Sequence, residues 1–153
     1  MSDTFISPKA LLEHWQGHRR LSRRVIEAFP DNQLFSYSVG GMRSFGALAM
    51  EMVGMAAPMV RGIVTGNWDY VAHEAKSKAA VLALWDESTK ELNRLWPQIS
   101  PETFSQTTTA FGTFTGPVYG HILYVIDNEI HHRGQGYVYL RSLGITPPVF
   151  YER

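Results

Sequence analysis

Clusters of proline, glycine and polar turn residues punctuate this chain and separate four long stretches. The breaks fall at Ser7-Pro8, Pro30-Asp31-Asn32, Gly40-Gly41, Thr65-Gly66, Pro97, Gly116-Pro117, Gly144 and Pro147-Pro148. Proline suits the first turn of a helix and stops one from within, and glycine closes helix ends. The stretches between breaks carry apolar residues at helical spacing. The first helix is expected from Ser7-Pro8 to about Phe29, with Leu11, Trp15, Val25 and Phe29 on one face and His18 and Ser22 as a polar gap between them. The second should start at the N-cap Ser44 and end near Thr65-Gly66. Its only charges are Glu51 and Arg61, so it reads as a buried helix in which Glu51 is a lone acid in apolar company. The third, from Ser77 to Trp96, is amphipathic, and the fourth opens at Pro117 and runs to Arg141 or Leu143. The tail from Ile145 to Tyr151 is expected to pack as an extended cap. The Thr- and Phe-rich segment 100–116 admits two readings, a short β-ribbon or an irregular crossover with one brief helical turn. The expectation is a single all-α domain over residues 1–153, a four-helix bundle.

Composition removes several classes of function. The chain has no cysteine, which excludes a disulfide scaffold, a thiolate metal site and a cysteine nucleophile. Fourteen Lys+Arg balance fourteen Asp+Glu, which argues against a broad electrostatic grip on nucleic acid or an anionic membrane. The basic run Arg19-Arg20-Leu21-Ser22-Arg23-Arg24 is read as a solvated helix face. The N-terminus lacks the basic start and apolar run of a signal peptide, no stretch of about 18 uncharged apolar residues exists, and the apolar run Val118–Ile126 is too short for a membrane span. A cytoplasmic location is the resulting expectation.

The six histidines are the one surplus that points to chemistry. On the fourth helix His121, Asn128, His132 and Tyr139 fall on nearly one line at 100° per residue. Asn128 and His132, at i and i+4, are about 6 Å apart along the axis and can converge on one ion, whereas His121 is too distant to join them. A third ligand must come from another helix, and Glu51 is the candidate. A metal-free pair of Glu51 and His132, with Asn128 hydrogen-bonded beside it, is the rival arrangement. His131 lies on a different face, one turn from Asp127.

The segments Pro30-Asp31-Asn32-Gln33-Leu34, Gly41-Met42-Arg43-Ser44-Phe45-Gly46, Glu129-Ile130-His131-His132-Arg133-Gly134-Gln135, Tyr139-Leu140-Arg141 and Gly144-Ile145-Thr146-Pro147-Pro148 resemble the DinB-like (DinB/YfiT) family. The resemblance implies a bundle with a long crossover between the second and third helices, and a homodimer. It also implies a divalent metal held by three histidines, one on the second helix and two in a His-x-x-x-His on the last. Here those positions read Glu51, Asn128 and His132, so the implied ion (zinc, nickel or manganese) would meet an altered ligand set. His121, Tyr124, His131 and Gln135 are the expected lining of the cleft. Relatives in the family include transferases and isomerases that use a low-molecular-weight thiol. The expectations are therefore a metal-dependent enzyme acting on a small molecule or, alternatively, a metal-free binding or scaffold bundle.

Overall fold

The computed structural model describes residues 5–153; the first four residues of the expected domain lie outside the described part. Four helices form as the breakers dictate: α1 Pro8–Ala28, α2 Phe45–Thr65, α3 Lys78–Leu95 and α4 Val118–Ser142. Ser7, Ser44 and Ser77 each cap a helix by accepting from the main-chain N–H three residues on. Gly66, at φ 72°, closes α2 in the left-handed conformation.

The helix directions follow from cross-helix partners. Arg61 pairs with Glu91 and Val53 lies across a shallow groove from Leu84, so α2 and α3 run parallel. The connection between them, residues 66–77, must therefore travel back along the whole of α2. Glycine on α2 makes that return path. A Cβ on Gly62 would fall inside the Trp68 ring, and one on Gly54 would stand 3.1 Å from the Tyr70 hydroxyl. Helix α1 runs antiparallel to α3, Arg23 pairing with Asp86 and Lys78 donating to the Phe29 carbonyl. The result is an all-α bundle with the long crossover in the expected place.

Segment 100–116, read as either a β-ribbon or a crossover with one brief helical turn, contains both a 3-10 turn and a hairpin. Two short 3-10 turns, Trp96–Gln98 and Pro101–Ser105, precede a hairpin of β1 Thr107–Ala110 and antiparallel β2 Phe114–Pro117. At the hairpin tip Phe111 takes φ 52°, a left-handed conformation that costs a bulky residue on the order of 1–2 kcal/mol. Its ring packs edge-on against Trp68, 5.3 Å away.

Helix α2 is long and apolar enough to cross a membrane by length and composition, and 61% of that window is buried in the bundle. It is the core helix. One end of the core gathers Trp15, Val60, Leu92, Trp96 and Ile122; the other gathers Phe29, Phe45, Trp85 and Tyr139.

Between those two apolar halves lies a buried ionic layer, where two of the sequence expectations are corrected. Arg19 is 1% exposed and does not belong to a solvated face. Its position on α1 points into the bundle, where it stacks 4.3 Å over Trp85 and donates to Thr89 Oγ1 and the Trp85 carbonyl. Among the described residues the one buried acid is Glu129 of α4, not Glu51. Glu129 accepts from Ser22 Oγ at 2.7 Å and Trp15 Nε1 at 3.3 Å, and stands 3.7 Å from Arg19 Nη1. Arg133 completes the layer with donations to the His18 carbonyl, Ser22 Oγ and His18 Nδ1. The polar gap at His18 and Ser22 in α1 is thus the receiving face for α4.

Candidate functional site

Glu51, Asn128 and His132 are brought together where α2 crosses α4. Glu51 Oε1 accepts from Asn128 Nδ2 at 3.1 Å and from His132 Nε2 at 3.0 Å; Oε2 accepts from Arg43 Nη1 at 2.5 Å. Its side chain is 30% exposed, so it is neither buried nor alone, and this corrects the apolar surroundings expected for it. Burial alone would raise its pKa. The hydrogen bonds from Asn128, Arg43 and His132 outweigh that and bring it down to about 2. The far ring nitrogen of His132, Nδ1, lies 2.7 Å from Gln135 Oε1, which fixes the ring plane. Gln135 in turn donates to the Met42 sulfur. His131 is exposed and lies edge-tilted beside His132, with no hydrogen bond to Asp127.

Arg43 carries no signal in helical periodicity, because it precedes the N-cap Ser44. Its main-chain carbonyl is pinned by the buried Tyr139 through a 2.8 Å hydrogen bond. The side chain then reaches two turns along α2 to Glu51. Asn128 Oδ1 is buried without a hydrogen-bond partner.

Fit to a metal depends on the donors this corner presents. Among the described residues no three His, Cys, Asp or Glu side chains gather to hold an ion. Only His132 offers nitrogen, whereas zinc and nickel favour several imidazoles or thiolates. The asparagine turns its NH2 toward the carboxylate, and Arg43 already supplies the balancing positive charge. The corner fits a hydrogen-bonded carboxylate, not a zinc or nickel centre. A harder cation would require the Asn128 amide to turn over and present Oδ1.

Two cavities that share wall residues open beside the corner. A polar lobe of about 340 Å³ is walled by Arg43, Met50, Glu51, Gly54, Met55, Tyr70 and His73. An apolar lobe of about 470 Å³ shares Gly54, Met55 and Tyr70 and adds Met59, Phe111, Phe114, His121 and Tyr124. His121 and Tyr124 thus line the cleft; His131 and Gln135 do not, the latter acting through His132. Of the crossover loop Trp68-Asp69-Tyr70, Tyr70 lines both lobes. His121 is held by the Thr108 carbonyl at 3.2 Å. The walls missing from the sequence reading are Met50, Met55 and Met59 of α2, together with residues of the hairpin and the crossover, whose fold has no helical periodicity to read.

The molecule is therefore a four-helix bundle with parallel second and third helices and a polar corner between the second and fourth. The DinB family model matches residues 1–153, and the chain belongs to the DinB family. Among solved structures it is similar to a DinB-like protein from Bacillus cereus, with a TM-score of 0.78 at 17% identity over 94% of this chain and 97% of that one. A DinB-like protein from Bacillus subtilis gives a TM-score of 0.76, also at 17% identity, over 94% and 99%. At this identity the likeness is one of fold. No curated protein matches the sequence.

Proposed function

We propose that this DinB-family protein binds a small molecule in the cleft between α2, α4 and the hairpin, with the Glu51 corner as a metal-free polar wall. The observation that supports this reading is the saturation of Glu51 by three donors, including the Arg43 guanidinium. A carboxylate with a pKa of about 2 is a poor proton acceptor at neutral pH, so Glu51 serves to position its neighbours and not as a general base. The donors of this corner do not favour the zinc or nickel ion that would lower the pKa of a low-molecular-weight thiol.

Metal analysis of untagged protein, followed by titration with Zn²⁺, Ni²⁺ and Mn²⁺ and by thermal shift, tests the proposal. The expected outcome is no binding below the millimolar range. Stoichiometric micromolar binding that is lost in Glu51→Gln and His132→Ala would overturn it and restore the metal-dependent alternative. We also propose a homodimer through α4, where Tyr119, Leu123 and Ile130 form an exposed apolar stripe beside Gly134. Light scattering should give twice the chain mass, and Ile130→Glu should halve it. A wild-type monomer at tens of micromolar would refute this interface.

A further inference from the structure

The satisfied and unsatisfied groups of the cleft define the chemistry of its occupant. Glu51 has no need of another partner, since both of its oxygens accept and its charge is balanced. Arg43 is the reverse. It is 56% exposed along its side chain, spends only one Nη1 on Glu51, and leaves Nε and Nη2 without a partner among the described residues. His73, exposed across the same lobe, is likewise without a hydrogen bond. The one fixed-sign open valence of the polar lobe is therefore the Arg43 guanidinium, a donor-only cation with a planar edge suited to a carboxylate, and His73 beside it can donate or accept.

The neighbouring lobe calls for an apolar body. At about 470 Å³ it is within the usual size range of small-molecule sites. Its walls include four aromatic rings and two methionines. Phe114, Tyr70 and Tyr124 are each more than 60% exposed, although aromatic side chains of this size normally gain by burial. Phe111 is kept in a left-handed conformation at the hairpin tip, with its ring against Trp68 at the chamber wall. Strain of that kind is retained where the surroundings hold a side chain in place.

We infer that the cleft takes an amphiphilic organic acid. Its aromatic or branched aliphatic body enters the chamber of Phe111, Phe114, Tyr124 and Met59, and its carboxylate lies on the free edge of Arg43. Glu51 does not touch this ligand; it is a positioning residue that anchors the Arg43 head while Tyr139 anchors its main chain. The inference rests on the proposed small-molecule cleft and assigns the class of molecule that fills it.

Binding of phenylacetate, hydrocinnamate, phenylacetamide and phenethylamine to the intact chain, followed by two-dimensional amide NMR and calorimetry, tests it. The acids are expected to bind at least about tenfold tighter than the amide, the difference a charge-assisted hydrogen-bonded pair supplies, and tighter than the amine. Arg43→Gln should erase the preference for acids, weakening the acids about tenfold more than the amide. Phe114→Ala, on an exposed strand of the hairpin, should weaken every probe alike. Glu51→Gln should reduce the preference without abolishing it. Equal affinity for acid, amide and amine, with shifts still centred on Phe111 and Tyr124, would overturn the assignment of the head group and leave the cleft reading intact. Absence of any chamber shift with all four probes, together with tight metal binding at the corner, would overturn both.

Discussion

Replacing Glu129 with glutamine removes one negative charge from the core while keeping its shape. The cost follows from what surrounds it. Glu129 is 2% exposed, Arg19 is 1% exposed and Arg133 is 6% exposed, so two guanidinium groups share one carboxylate away from water. Arg19 Nη1 is buried and has no hydrogen-bond partner, which leaves the Glu129 charge 3.7 Å away as its compensation. At that separation an effective dielectric of 20 gives an attraction of about 4.5 kcal/mol. Glutamine keeps one oxygen to accept from Ser22, but it presents NH2 where Oε2 accepts from Trp15 and faces Arg19, so the loss is this charge together with one hydrogen bond. Breaking a buried pair by deleting one partner costs roughly 3–5 kcal/mol, a third or more of a typical domain's stability. For a chain of this length that corresponds to a fall in Tm of roughly 6–20 °C. Urea unfolding followed by circular dichroism and by tryptophan emission measures it, with Trp15 reporting from the carboxylate itself. Arg19→Met combined with Glu129→Gln should be clearly more stable than the sum of the two single changes, because the stranded cation is gone. A loss below about 1 kcal/mol for Glu129→Gln, or strict additivity in the double variant, would refute the view that this layer is held by charge compensation.

Three further outcomes are expected. Burial, with Arg133, His14 and Arg153 around the ring, lowers the His18 pKa to about 3, so the native state holds it neutral. The unfolded chain takes up a proton below its ordinary pKa of 6.5, and stability is therefore lost as pH falls from 6.5 toward 3. At pH 4.5 the ceiling is about 2.7 kcal/mol. His18→Asn, which keeps an acceptor for Arg133, should flatten that slope in pH-dependent urea melts; an unchanged slope would count against it. Glu51 adds a smaller loss of the same sign, from its unfolded pKa of 4.5 down to about 2. Screening at this half-exposed pair limits it to about 1 kcal/mol, and Glu51→Gln should remove it from the melts. Gly62→Ala forces Trp68 off α2 and costs roughly 1–3 kcal/mol by overpacking, partly offset by the better helix propensity of alanine. Trp68 emission should shift to the red, and an unshifted spectrum would show that the ring does not lie on that glycine.

What could be read in the chain, and what could not, divides along a physical line. Helix ends are local: Ser7, Ser44, Ser77, Gly66 and Pro117 act on their own turn, and each lies where sequence reasoning puts it. The convergence of Glu51, Asn128 and His132 was also legible, because i, i+4 geometry on one helix needs only a facing partner. The burial of charge was not. Periodicity identifies Glu51 as the lone acid of an apolar helix, but that helix is open to solvent where Arg43 folds over it. The acid that is truly enclosed, Glu129, sits in a helix whose sequence is apolar and polar on all sides, and so hides its inward face. A signal for it existed across two helices. The polar gap at His18 and Ser22 on α1 matches the polar pair Glu129 and Arg133 on α4, and a gap in one apolar stripe requires a complementary gap in the stripe it packs against. The same logic bears on Arg19: an arginine within a basic run is buried when its helical phase coincides with the apolar face, as it does here four residues after Trp15. Charge runs therefore need to be resolved residue by residue in helical phase before any of them is assigned to solvent or to a partner.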